Sequence, residues 1–154
     1  MSDRFLPRHA DNTYRGYRLA LWLFALLVAL KLTIGLNCIF NGRDVASSAD
    51  GIPLDTFDLA CARMVVSDFA IWGLAQVMIC ALCLLVLVRY RALIPFMFAL
   101  LLLEHLGRKL ILQVLPIVKT GTPPGFFVNL VLLTLMVVGL ALSLWSHDTP
   151  PARE

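Results

Sequence analysis

Four ionisable side chains sit together in Glu104-His105-Leu106-Gly107-Arg108-Lys109, at the end of an apolar run that begins near Ala92. A charged group inside a membrane costs about 2.5–3.5 kcal/mol on insertion scales, so such groups mark function or pairing. On a helix, Glu104 and Arg108 are i,i+4 neighbours in the favourable order, and His105 and Lys109 form the next such pair. At about 100° per residue, the four side chains spread over roughly 140° of the helix. One neighbouring helix does not cover that arc, so a polar cavity or several partners is implied. In such a cavity Arg108 and Lys109 would hold an anionic or carbonyl oxygen. Glu104 and His105 would tune it or relay protons, because histidine titrates near neutral pH. The competing reading is a structural network, with Lys109 snorkelling to the interface and Leu110–Val118 lying along the membrane surface.

Depth selects partners for this cluster. At about 1.5 Å per residue, Glu104 lies about 18 Å from the start of its helix, and Lys31 lies a similar distance along the first apolar segment. A Lys31–Glu104 ion pair is expected. Asp68 enters the second segment from the opposite end and is placed to meet Arg108 or Lys109. Asn37, Gln76, Gln113 and Asn129 are placed to complete a polar pocket.

Cysteine gives a second signal. Cys80-Ala81-Leu82-Cys83 is a C-x-x-C, and Cys38 and Cys61 flank a loop. This layout resembles membrane thiol–quinone oxidoreductases of the vitamin K epoxide reductase type, which hold their reactive pair at the outer ends of helices. Cys80 and Cys83 instead lie deep in an apolar segment, where a thiol stays protonated and inert. Cys38 and Cys61 are a candidate disulfide, provided that their Cα atoms lie within about 7 Å. No metal site is expected, because no ligand set has zinc spacing. A bis-histidine haem would need a second subunit, since His9 and His147 lie in the tails.

The elements that must carry these residues follow from composition. The 154 residues are 60% hydrophobic and 15% charged, with a mean hydropathy of +0.84. A soluble domain of ordinary composition is roughly 45–50% apolar and about 25% charged. The apolar residues fall in four blocks, each near the roughly 20 residues that span a bilayer. They are apolar on every face rather than alternating, so helices and not barrel strands are expected. The reading is an all-α membrane protein, an antiparallel bundle of four transmembrane helices at about 19–40, 64–88, 92–116 and 126–145. A basic arm at 1–18 precedes the transmembrane domain at 19–146, and a tail occupies 147–154. The loop at 41–63 is acidic, with Asp50-Gly51-Ile52-Pro53 as turn chemistry and Asp55 or Thr56 as a helix cap. Gly35, Gly73, Gly107 and Gly139, one per segment, are expected to let helices approach closely.

Basic residues set the orientation. Arg4, Arg8, Arg15 and Arg18 in the arm, and Arg89 and Arg91 in a short connection, place both termini in the cytoplasm. The acidic loop then faces outward, and a bacterial plasma (inner) membrane is the expected location. No Lys/Arg block forms a face for nucleic acid, although the net charge is +3.

Gly35-Leu36-Asn37-Cys38-Ile39-Phe40-Asn41, Gly51-Ile52-Pro53-Leu54, Ala62-Arg63 and Gly107-Arg108 before a Gly/Pro turn are short motifs spread over most of the chain. Together they resemble the DoxX-like group of small four-helix bacterial membrane proteins. The resemblance implies partnership with redox enzymes or quinone-linked subunits, and carries over Arg63 and Arg108 alone, as structural or headgroup-binding residues. Three functions are therefore carried forward. The first is a non-enzymatic accessory subunit or a quinone-, lipid- or partner-binding protein, with its site among Lys31, Asp68, Glu104, His105, Arg108 and Lys109. The others are a thiol- or quinone-linked oxidoreductase and a small transporter that acts as a homo-oligomer.

Overall fold

The computed structural model describes residues 12, 14, 16–117, 119 and 121–145. Most of the basic arm, the tail at 147–154 and Thr120 lie outside the described residues. Among the described residues the chain is helical and has no strand. Its long helices are α1 (Arg18–Phe40), α2 (Leu59–Arg89), α3 (Ile94–Val114) and α4 (Gly125–Leu144). Three of them, α1, α2 and α4, are long and apolar enough to cross a membrane. Their outward faces leave large side chains such as Trp22, Ile71, Met78 and Phe127 exposed, as suits contact with lipid. Helix α3 is equally long, but it carries Glu104, Arg108 and Lys109.

The helix bounds follow local chemistry. Helix α2 starts at Leu59, a few residues beyond the expected caps Asp55 and Thr56, because Asp58 is its cap: the carboxylate accepts from the Cys61 backbone N–H at 3.2 Å. That bond and a side-chain bond from Cys61 hold the Asp58 carboxyl below its ordinary range. The expected caps Asp55 and Thr56 instead belong to a 3-10 turn, Leu54–Thr56, in which the Thr56 hydroxyl donates to Pro53 at 2.7 Å. Gly51, at φ 71°, makes the preceding turn in a region that side chains disfavour. Pro95 falls in the first turn of α3, where its missing N–H is not needed. The N-terminus of α1 is tied to the end of α4 by the Tyr17 N–H, which donates to Leu142 at 3.3 Å.

Helix α1 packs most extensively on α2, and α4 packs on both α3 and α1; α3 touches α1 and α2 only lightly. The main seam is built on glycine. A Cβ on Gly73 would fall 2.6 Å from the Gly35 carbonyl oxygen and 2.8 Å from Cβ of Cys38. Gly139 similarly lies under the ring of Phe98. Gly107 departs from the expected pattern: nothing lies within 4 Å of where its Cβ would be, because α3 turns that position away from its neighbours.

The two ends of the molecule differ. Toward the chain termini, Phe24, Leu27, Cys83, Ile94, Phe98 and Met136 form a closed apolar core, with Phe24 and Phe98 edge to face at 5.0 Å. At the other end, the 42–56 segment folds back over the helices. Ala46, Ile52 and Leu54 pack there on Val65, Val66 and Phe69 of α2. Between these two apolar layers, α3 stands away from α2.

Candidate functional site

The space between α2 and α3 is a cavity of about 520 Å³, lined by all four long helices and by the 45–52 segment. Small-molecule sites commonly fall between about 300 and 1,000 Å³. Lys31 and Gln76 line its floor, whereas Glu104, His105 and Lys109 are not among its lining residues. The Lys31 ammonium donates to Glu104 Oε2 at 2.9 Å and to Gln76 Oε1 at 3.0 Å. The Lys31 side chain is 3% exposed and that of Glu104 is 26% exposed. Helix α3 meets α1 at the Phe24–Phe98 contact near its start, and this ion pair ties it to α1 again farther along. Gln76 is oriented in turn by Cys80, whose sulfur lies 3.7 Å from Nε2.

One turn above the floor, the Arg108 guanidinium lies over the Trp72 ring, 4.7 Å from its centroid. Cation–π stacking of this kind is worth roughly 0.5–2 kcal/mol, more when water is excluded. The remaining contacts of Arg108 are long: 3.5 Å to Asn129 Oδ1 and 3.4 Å to His105 Nδ1. Asn129 is aimed by its own amide, which donates to the Gly125 carbonyl at 2.8 Å. No carboxylate lies within ion-pair distance of Arg108 among the described residues. A guanidinium has five donors in a fixed fork suited to carboxylate or phosphate, so most of this capacity is unused.

The mouth carries three more charges. Asp68 lines it from α2 without an ion-pair contact, and Lys119 meets Asp50 at 3.9 Å. Asn37 also lines the cavity, whereas Gln113 does not. Apolar walls come from Ile34, Phe69, Leu112 and Leu132. The arrangement is thus a greasy slot with a charged floor, one weakly engaged cation at its waist and a carboxylate near its opening. The chain matches no protein-family model, no curated protein and no solved structure.

The structure brings Lys31 and Glu104 together and places Asp68 and Arg108 on the same cavity without pairing them. The expected Glu104–Arg108 contact along α3 does not form, because Glu104 is turned to Lys31. The expected His105–Lys109 contact is also absent: His105 is 1% exposed, with Nε2 lacking a hydrogen-bond partner, while Lys109 points outward. If Arg108 donates to Nδ1, the ring proton sits on Nε2 as a buried donor with no acceptor.

The candidate disulfide is corrected. Cys38 and Cys61 are free thiols, one buried and one exposed. Cys38 faces Gly73 across the α1–α2 seam, and Cys61 lies in the first turn of α2, about 18 Å away along that helix at 1.5 Å per residue. Cys80 and Cys83 are also free and buried in the core. No described cysteine lines the cavity. Among the described residues, no three His, Cys, Asp or Glu side chains are grouped to hold a metal ion.

Trp72 is not among the residues that the sequence analysis singles out. A signal was present: Asp68, Trp72 and Gln76 recur every four residues, which puts one acid, one ring and one amide along a single helix face.

Proposed function

We propose that the protein is a non-enzymatic membrane protein that binds the headgroup of an amphiphile, a quinone or a lipid, in the cavity beside Arg108. The observation that carries this reading is Arg108 stacked on Trp72 in a largely apolar cavity, with no carboxylate among the described residues paired with it. In this reading α3 is a fourth span and the helices form an antiparallel bundle. Its 21 residues reach about 31 Å, close to the roughly 30 Å of a hydrocarbon core. The Arg-rich arm and the Arg89/Arg91 connection support cytoplasmic termini. The cavity then lies in the outer half of a bacterial inner membrane, with Asp50 and Lys119 at its rim. The DoxX-like motifs agree with this small four-span layout.

An accessory role beside a partner subunit, or beside a second copy of this chain, draws on a different observation. Leu103, Gly107, Leu110 and Val114 form a stripe on α3. Its large side chains are exposed, and its glycine has open space around it. The thiol oxidoreductase reading gains no such support, since its thiols lie away from the cavity.

Ligand-dependent unfolding in mild detergent tests the proposal, with decylubiquinone and lauroyl lysophospholipids as probes. At a hundred times Kd, a ligand that binds only the folded state adds about 2.7 kcal/mol, so the midpoint of the wild type should rise. Arg108→Gln should lose that rise. An unchanged midpoint with every probe, or an equal rise in Arg108→Gln, rejects the site.

A further inference from the structure

The charges around the cavity do not cancel uniformly. Lys31 is neutralised by Glu104 at 2.9 Å, and Lys119 by Asp50 at 3.9 Å. Two lining groups of opposite sign have no ion-pair partner among the described residues: Arg108 and Asp68. Asp68 lies one helical turn from Trp72, about 6 Å along the α2 axis, and Arg108 rests on the Trp72 ring. They face one space but do not meet.

We propose that this cavity selects a zwitterionic headgroup, with a phosphate oxygen on Arg108 and an ammonium on Asp68. The inference rests on the amphiphile-binding reading above and narrows its ligand class. Arg108 supplies the fork that fits phosphate, and Asp68 accepts from an ammonium two carbons away. A neutral quinone would satisfy the guanidinium and leave Asp68 unmatched. An anionic lipid without an amine would bring like charge toward that carboxylate. Both are expected to bind more weakly than a phosphoethanolamine amphiphile, whose chain would lie along Ile34, Phe69 and Leu132.

Trp72 is a built-in reporter. The chain has three tryptophans, and Trp22 and Trp145 are exposed, so replacing those two by Phe leaves one signal at the site. Full-length protein in detergent is titrated with lauroyl lysophosphatidylethanolamine, lauroyl lysophosphatidylglycerol, dodecylamine and O-phosphoethanolamine. The ethanolamine lysolipid should bind at least about 10-fold tighter than the glycerol lysolipid or dodecylamine. Asp68→Asn should erase the preference between the two lysolipids, while Arg108→Gln weakens both. If O-phosphoethanolamine binds as tightly as its lipid, the zwitterion comes from a soluble source; if it binds far more weakly, the source is a lipid. Equal affinity for the two lysolipids in the wild type, or a preference that survives Asp68→Asn, overturns the zwitterion and leaves the amphiphile site standing. Decylubiquinone binding without any lysolipid does the same. No response to any of these probes removes both.

Discussion

Glu104→Leu alone is expected to cost roughly 3–5 kcal/mol, and Glu104→Leu combined with Lys31→Met to recover most of it. The reason is the burial of Lys31, whose side chain is 3% exposed and whose only carboxylate partner among the described residues is Glu104. Removing the acid leaves an ammonium held by one amide oxygen, that of Gln76. Removing both charges leaves an apolar pair of similar bulk, and replacements of this kind are often neutral or stabilising. The residual cost is the Gln76 carbonyl, which loses its donor; an unsatisfied buried group costs about 1–3 kcal/mol. A double-mutant cycle on unfolding in detergent measures the coupling directly. If the double variant is as unstable as Glu104→Leu, the pair is not an isolated strut. If it is stable and still binds ligand, the Lys31–Glu104 pair is a structural tie beneath the cavity and Arg108 carries recognition.

The second large effect lies on the α1–α2 seam. Gly73→Leu should destabilise the protein by at least about 1–3 kcal/mol, the usual cost of overpacking. The first atom of the new side chain would meet a backbone oxygen at 2.6 Å. Backbone cannot swing aside as a side-chain tip can, so the helices must separate, and Cys38 must move with them. Gly107→Ala provides the opposite control. Nothing lies near that position, so alanine should stabilise the isolated protein by up to about 1 kcal/mol through helix propensity. The same pair of variants, followed by thermal unfolding, thus separates a glycine needed for contact from one that is not. A Gly107→Ala variant that unfolds earlier than wild type would contradict the open surface of α3.

These two sites also show how far the sequence could be read. The Lys31–Glu104 contact was legible because depth along an apolar helix follows from residue count, and a buried charge has few places to go. The i,i+4 rule then misled: it paired Glu104 with Arg108, but the rule describes isolated helices, and here Lys31 takes the carboxylate across the bundle. With Glu104 taken, Arg108 turns to Trp72. The Cys38–Cys61 pairing rested on both thiols flanking the loop. The α1–α2 packing sets Cys38 against Gly73 and leaves Cys61 about three turns away along α2. Glycine spacing identified Gly35, Gly73 and Gly139 correctly as close-approach positions, whereas Gly107 shows that one small residue per helix does not say which face it occupies. The apolar blocks themselves were plain, because three of them exceed the length and hydropathy that a bilayer requires.

Native mass spectrometry of the protein extracted in mild detergent tests whether Arg108 on Trp72 forms a ligand site. Wild type is compared with Arg108→Gln and with the Lys31→Met/Glu104→Leu double variant. A bound amphiphile is expected on wild type and on the double variant, and none on a folded Arg108→Gln. A partner protein or second copy retained by all three would place the interaction on the exposed face of α3. The same small molecule on all three, or none on a folded wild type, would contradict the site.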